Sequence, residues 1–118
     1  LRLNTFAEAY HPAKQALGLI VKDRQQTKLI FGRYDKGRFS TLPDEYLLPG
    51  IGYVEQLLFS PDGTLAYMAT NQGVYTLPLK QGEVAAPFGE SRKTVRALAL
   101  SGTADDYALA VKTADSLT

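Results

Sequence analysis

Apolar residues along the chain fall into short runs, and turn-forming residues separate them about every 5 to 10 positions. The turns are His11-Pro12, Asp35-Lys36-Gly37, Pro49-Gly50, Ser60-Pro61-Asp62-Gly63, Asn71-Gln72-Gly73, Lys80-Gln81-Gly82 and Ser101-Gly102. Nothing in the pattern has the period of a long helix. The middle of the chain is the clearest: Val54 to Phe59 predicts one strand, Leu65 to Thr70 a second and Val74 to Leu79 a third. Asp-Gly between apolar runs favours a hairpin, because glycine tolerates the positive φ that tight turns require.

The same unit recurs. VEQLLF, Val54 to Phe59, lies over VRALAL, Val95 to Leu100, at an offset of 41 residues, and Ser60 then meets Ser101. LAYMAT, Leu65 to Thr70, lies over YALAVK, Tyr107 to Lys112, at an offset of 42. Towards the N-terminus, Phe59-Ser60-Pro61 falls on Tyr10-His11-Pro12 at an offset of 49, and LAYMAT falls on LGLIVK, Leu17 to Lys22, at 48. Thr27 to Arg33 follows as a third strand of that unit and Arg38 to Leu42 as a short fourth; the second unit's fourth strand falls around Val84 to Pro87. The expected units are therefore residues 4–42, 54–87 and 95–118 of one all-β segment. Four strands in about 40 to 50 residues is the period of β-propeller blades.

FSPDGTLAYMATNQGVYTLPL, Phe59 to Leu79, resembles the blades of bacterial propellers of the WD40-like and two-component-regulator type, which run strand, Ser-Pro-Asp-Gly turn, strand, Thr-Asn-x-Gly-Val turn, strand. The chain departs from true WD40 repeats in lacking Gly-His and Trp-Asp, and from sialidase Asp-boxes in lacking tryptophan. The resemblance implies antiparallel four-stranded blades, about two and a half of them. Closed propellers use about 4 to 8, so the segment is expected to belong to a longer propeller. A self-contained β-sandwich is the alternative that turn spacing allows.

Composition narrows the function classes. With 13 Lys+Arg against 12 Asp+Glu the net charge is +1, which offers no basic surface for nucleic acid. Zero cysteines exclude disulfides, thiolate metal sites and cysteine nucleophiles within these residues, without fixing the compartment. No apolar run approaches the roughly 20 residues of a membrane-spanning helix. No cofactor motif is present, and GRYDKGR, Gly32 to Arg38, lacks the order of a phosphate loop.

His11, the only histidine, precedes proline and aligns with Ser60-Pro61, so a turn position accounts for it. Asp62 suits an Asx-type turn that accepts nearby backbone amides. Asp105-Asp106 aligns with Asp62-Gly63 and lacks the alternate oxygen spacing of a calcium loop. Arg33 and Arg38 flank a hairpin turn where either could pair with Asp35. The longest irregular stretch, Pro43 to Gly52, brings Asp44, Glu45 and Tyr46 towards Tyr53; two acids and two aromatics suit a cation or a peptide. A solvated linker in which Tyr46 and Tyr53 cover the junction between blades is the simpler account of the same residues.

By strand count the turns at Arg24-Gln25-Gln26 and Asn71-Gln72 share that rim. The candidate ligand or partner residues are therefore Arg24, Gln25, Asp44, Glu45, Tyr46, Tyr53, Asn71 and Gln72, with no catalytic or metal residue among them. The expected function is a non-catalytic binding or sensing module for a protein or small-molecule ligand. The alternative is part of a hydrolase- or lactonase-type propeller enzyme whose catalytic residues lie elsewhere.

Overall fold

The computed structural model describes residues 4–89, 92–103 and 106–113. Alternating apolar residues and tight turns fold them into ten strands, with no helix among the described residues. Strands β1 (Asn4–His11), β2 (Ala16–Asp23), β3 (Gln26–Asp35) and β4 (Arg38–Leu47) form one antiparallel sheet in chain order. Strands β5 (Val54–Phe59), β6 (Leu65–Thr70), β7 (Gly73–Pro78) and β8 (Ala86–Phe88) form the second. Strands β9 (Val95–Gly102) and β10 (Tyr107–Thr113) form a hairpin. Every sheet is a local meander. The described strands make no exchange between sheets of the kind a Greek-key sandwich uses.

The sheets stack in sequence, β1 against β5 and then β5 and β6 against β9. Between the first and second lie Ile20, Leu29, Phe31, Tyr46, Leu57, Phe59, Met68 and Leu77, with Leu48 and Ile51 of the connecting segment closing one end. Between the second and the hairpin lie Tyr67, Ala69, Val74, Val95 and Leu98. Each fully buried large apolar side chain contributes about 1.5–3 kcal/mol. Gly18 is where the first two sheets come closest: a Cβ there would stand 2.5 Å from Cζ of Phe59. Among the described residues the stack is open, and its sheets do not close on themselves.

The pairing registers show how far the three units agree. In β1, Thr5 pairs with Val21 and Ala7 with Ile20, which leaves Phe6 as an extra residue. In β5, Val54 pairs with Thr70 and Gln56 with Ala69, leaving Glu55. In β9, Val95 pairs with Thr113 and Ala97 with Lys112, leaving Arg96. Every unit thus carries a β-bulge at the same place in its first strand, at offsets of 49 and 41 residues. Two bulge residues meet across units, Arg96 Nη1 lying 3.1 Å from Glu55 Oε1.

Four sequence expectations change. The returning strands align at 49 and 43 rather than 48 and 42, since Leu17 is the counterpart of Ala66 and Leu109 its other counterpart. The fourth strand of the first unit runs to Leu47, so Pro43 to Leu47 are strand and not loop. A bulge opposite Phe31, between the pairs Gly32–Thr41 and Ile30–Glu45, accommodates Pro43, which has no N–H to give a ladder. Arg33 does not pair with Asp35: its guanidinium donates to the carbonyls of Lys14 and Gln15 at 2.6 and 3.2 Å. The second unit's fourth strand is Ala86–Phe88, slightly later than expected.

Candidate functional site

The loops that follow β2, β4 and β6 lie at one end of the stack. Asp23 and Gln26 pair across a two-residue turn, and both central residues, Arg24 and Gln25, have positive φ (51° and 68°). A hairpin turn of this hand normally employs Asn or Gly. Two larger side chains held there store strain of the kind that collects at functional positions. From this turn a pocket of about 350 Å³ opens between Gln25, Gln26 and Thr27 on one side and Leu47, Pro49 and Gly50 on the other. A second, of about 150 Å³, adjoins it through Thr27 and is lined by Phe6, Lys22, Gly52, Tyr53 and Val54.

The next turn is clamped to the same edge. Tyr53 N–H donates to Asn71 Oδ1 at 2.9 Å, and Asn71 N–H donates back to the Tyr53 carbonyl at 3.2 Å. Thr94 Oγ1 donates to the Asn71 carbonyl at 3.2 Å, which brings in the segment before β9. Gly52 is required in this clamp, because it has φ +81° and a Cβ there would lie 2.3 Å from Asn71 Oδ1. Within the turn Gln72 N–H donates to Thr70 Oγ1, which itself donates to the Gly73 carbonyl. The Tyr53 ring is 51% exposed and stands edge-on to Phe6 at 5.3 Å.

The structure therefore brings Tyr53, Asn71 and Gln72 together, with Arg24 and Gln25 along the same rim. The residues of β4 part company. Asp44 approaches Lys14 Nζ and Gln81 Nε2, each at 3.5 Å, and Lys14 belongs to the β1–β2 turn at the opposite end of the sheet. Glu45 pairs with Lys28 at 3.4 Å on the sheet's other face. Tyr46 is 6% exposed within the core; burial, and secondarily the Asp44 charge, push its hydroxyl pKa up. Alternation along a strand sends neighbouring side chains to opposite faces, so Asp44, Glu45 and Tyr46 cannot act as one loop cluster.

His11 is a packing residue between the first two units. Its ring is 2% exposed and lies edge-on to Phe31 and Phe59. Nδ1 accepts the Lys14 N–H at 3.0 Å, so Nε2 carries the proton it donates to the Gly63 carbonyl at 2.8 Å. Lys14 Nζ sits 5.1 Å above the Phe31 ring centroid. Sequence reasoning saw the turn at His11 and could not see that the ring bridges two sheets.

Asp62 has the expected Asx geometry. One carboxylate oxygen accepts from Ser60 Oγ, Thr64 N–H and Thr64 Oγ1 at 2.7, 3.1 and 2.8 Å. These bonds, Ser60 first, hold its pKa below the usual value. Of the pair at 105 and 106, Asp105 lies outside the described residues, and the Asp106 carbonyl closes the turn by accepting Thr103 N–H. No group of three or more His, Cys, Asp or Glu residues with metal-binding placement occurs among the described residues. No helix of the described chain is long and apolar enough to cross a membrane. Comparison with protein-family models, with curated proteins and with solved structures finds no match to this chain.

Proposed function

We propose that the chain is an arc of β-propeller blades and works as a non-catalytic binding module, taking its protein or small-molecule ligand on the rim formed by the β2–β3 turn, the β4–β5 connection and the β6–β7 turn. The observation that carries this reading is the convergence of three turn segments on one edge: Asn71 is tied to Tyr53 and Thr94, and the adjoining pockets run from Gln25 to Tyr53. The repeated first-strand bulge and the sequential stacking of meanders support the blade assignment.

The rim offers uncharged hydrogen-bonding groups at Gln25, Gln26 and Gln72, an exposed aromatic edge at Tyr53 and cations at Lys22 and Arg24. Such a surface suits a ligand recognised by hydrogen bonds and stacking rather than by charge alone. The test is a nuclear magnetic resonance screen of the chain against short peptides and small polar molecules. Bound ligands should move the amides of residues 24–27, 47–53 and 71–73, and Tyr53→Ala should weaken them at least tenfold. Ligands that map elsewhere, or none at millimolar concentration, would remove the proposal. Ester or lactone turnover abolished by the same substitution would give the site to an enzyme instead.

A further inference from the structure

We propose that the rim pockets take the C-terminal end of a peptide chain, its carboxylate at Lys22, its last side chain against Phe6 and Tyr53, and its preceding main chain along Gln25 and Gln26. The inference rests on the rim being the binding surface and names what that surface binds. The first observation is how β2 and β3 sort their charges. Asp23 and Lys28 lie on the face of the first sheet that carries Val21 and Ile30, and Glu45 stands opposite Ile30 on that face. Lys28 Nζ is 3.6 Å from Asp23 and 3.4 Å from Glu45, so both acids have their cation there. Lys22 and Thr27, directly opposed across the hairpin, face the other way, towards the second sheet with Ile20 and Leu29. Lys22 is exposed and makes no ion pair with a described residue. Asp44 and Glu55 are engaged elsewhere, with Lys14 and Arg96.

The pocket that Lys22 lines is otherwise suited to hydrocarbon. Phe6, Tyr53 and Val54 form its apolar wall, the two rings meeting edge-on at 5.3 Å, and Thr27 is the polar side chain opposite Lys22. A single cation beside hydroxyl groups and an apolar wall matches a carboxylate joined to an apolar side chain. A phosphate, with more charge and more acceptor oxygens, would ask for more donors than these residues provide. A volume of about 150 Å³ gives room for one side chain and its carboxylate, not for a folded segment.

The neighbouring space favours a chain end over a free acid. At Thr27 the smaller pocket adjoins the one of about 350 Å³, where Gln25 and Gln26 stand across from Leu47 and Pro49. The bond from Leu48 N–H to the Thr27 carbonyl, 2.9 Å, ties those two walls together. Primary amides donate and accept at once, which is what the N–H and C=O groups of a peptide main chain require. A free carboxylic acid would use the smaller pocket and leave the larger one without a role. A chain end uses both, with the carboxylate fixing its direction and the last side chain its selectivity.

The probes are N-acetyl-alanyl-glycyl-leucine, the same peptide ending in a carboxamide, and N-acetyl-leucine, each titrated into the 118-residue chain near neutral pH and followed by amide chemical shifts. The peptide acid should move the amides of Lys22, Thr27 and Tyr53 and bind about tenfold or more tightly than its carboxamide and than N-acetyl-leucine. Lys22→Gln should bring acid and carboxamide level. Lys36→Gln, which removes the same charge from the turn at the far end of β3, should change neither. Acid and carboxamide binding equally at the rim would overturn the inference and leave the rim as a binding surface. N-acetyl-leucine binding as tightly as the tripeptide would overturn it in favour of a free acid. Silence from all three at millimolar concentration would overturn it as well, and ligands of the wider screen that map elsewhere would remove the rim reading with it.

Discussion

Gln56→Met tests how the hairpin of the third unit is held. Gln56 projects from β5 towards β9, and its side-chain amide makes two bonds to one residue of the next unit. Nε2 donates to the Leu98 carbonyl and Oε1 accepts the Leu98 N–H, both at 2.9 Å. Methionine keeps the length and the apolar stem and removes both partners. Two hydrogen bonds at about 0.5–1.5 kcal/mol each give a loss of about 1–3 kcal/mol. The remaining grip is the apolar packing of Val95 and Leu98 against Tyr67, Ala69 and Val74, with the Arg96–Glu55 pair and the Tyr67–Tyr107 and Thr94–Asn71 bonds beside it. The counterpart of Gln56 in the first unit is Ala7, which has no such amide, so the effect belongs to one junction. Site-resolved hydrogen exchange should therefore quicken about 5- to 150-fold across β9 and β10 and stay unchanged in β1 to β4. Acceleration spread evenly over all three sheets, or none in β9, would refute the reasoning.

Gly18→Ala should destabilise the chain by about 1–3 kcal/mol in urea unfolding through overpacking against Phe59 and Phe31; an unchanged midpoint would mean that the first two sheets are further apart than described. Tyr67, buried against the third unit with its hydroxyl 2.8 Å from that of Tyr107, has its pKa pushed up to about 12 by burial first and by that bond second. The folded state therefore holds this proton more tightly than the unfolded one, and stability should fall as pH climbs from about 10 towards 12, a fall that Tyr67→Phe removes. Ultraviolet titration showing every tyrosine ionising together near 10 would contradict this. Asp62 has the opposite sign: its folded pKa is lowered, so its contribution is complete above the ordinary carboxylate range and is lost as pH falls through the folded value. Asp62→Asn should flatten the acid limb of the stability profile, and a parallel profile would show that the turn bonds are not formed.

The fold was legible wherever one residue type has one structural consequence. Ser-Pro-Asp-Gly and Asn-Gln-Gly located the turns, and the strands between them fall at Val54–Phe59 and Leu65–Thr70 as expected. Register was less legible. LGLIVK and LAYMAT are buried on both faces, with patterns that hardly alternate, so sliding one over the other by a single residue costs nothing in appearance. In the sheet the same slip would turn every side chain over. The bulges at Phe6, Glu55 and Arg96 left no trace either, because the three residues share no chemistry and a bulge is set by pairing with the partner strand.

The candidate site split for a related reason. Pro43 looked like the start of a loop, whereas a bulge carries it inside β4, and strand alternation then turns Glu45 to the face opposite Asp44 and Tyr46. Tyr53, Asn71 and Gln72 could be grouped from strand count alone, since successive hairpins return their turns to the same end. Hydrogen bonds between Asn71 and Tyr53 add what counting could not supply.

The central claim is that one bulged hairpin occurs three times in the same register. The most direct measurement is the set of cross-strand Hα–Hα contacts seen by nuclear magnetic resonance, which are strong only between directly opposed residues that do not share ladder bonds. Contacts are predicted for Tyr10 with Leu17, Phe59 with Ala66 and Leu100 with Leu109. A contact from Leu100 to Ala108, or from Tyr10 to Ala16, would shift a strand by one residue, turn its buried face outward and contradict the account.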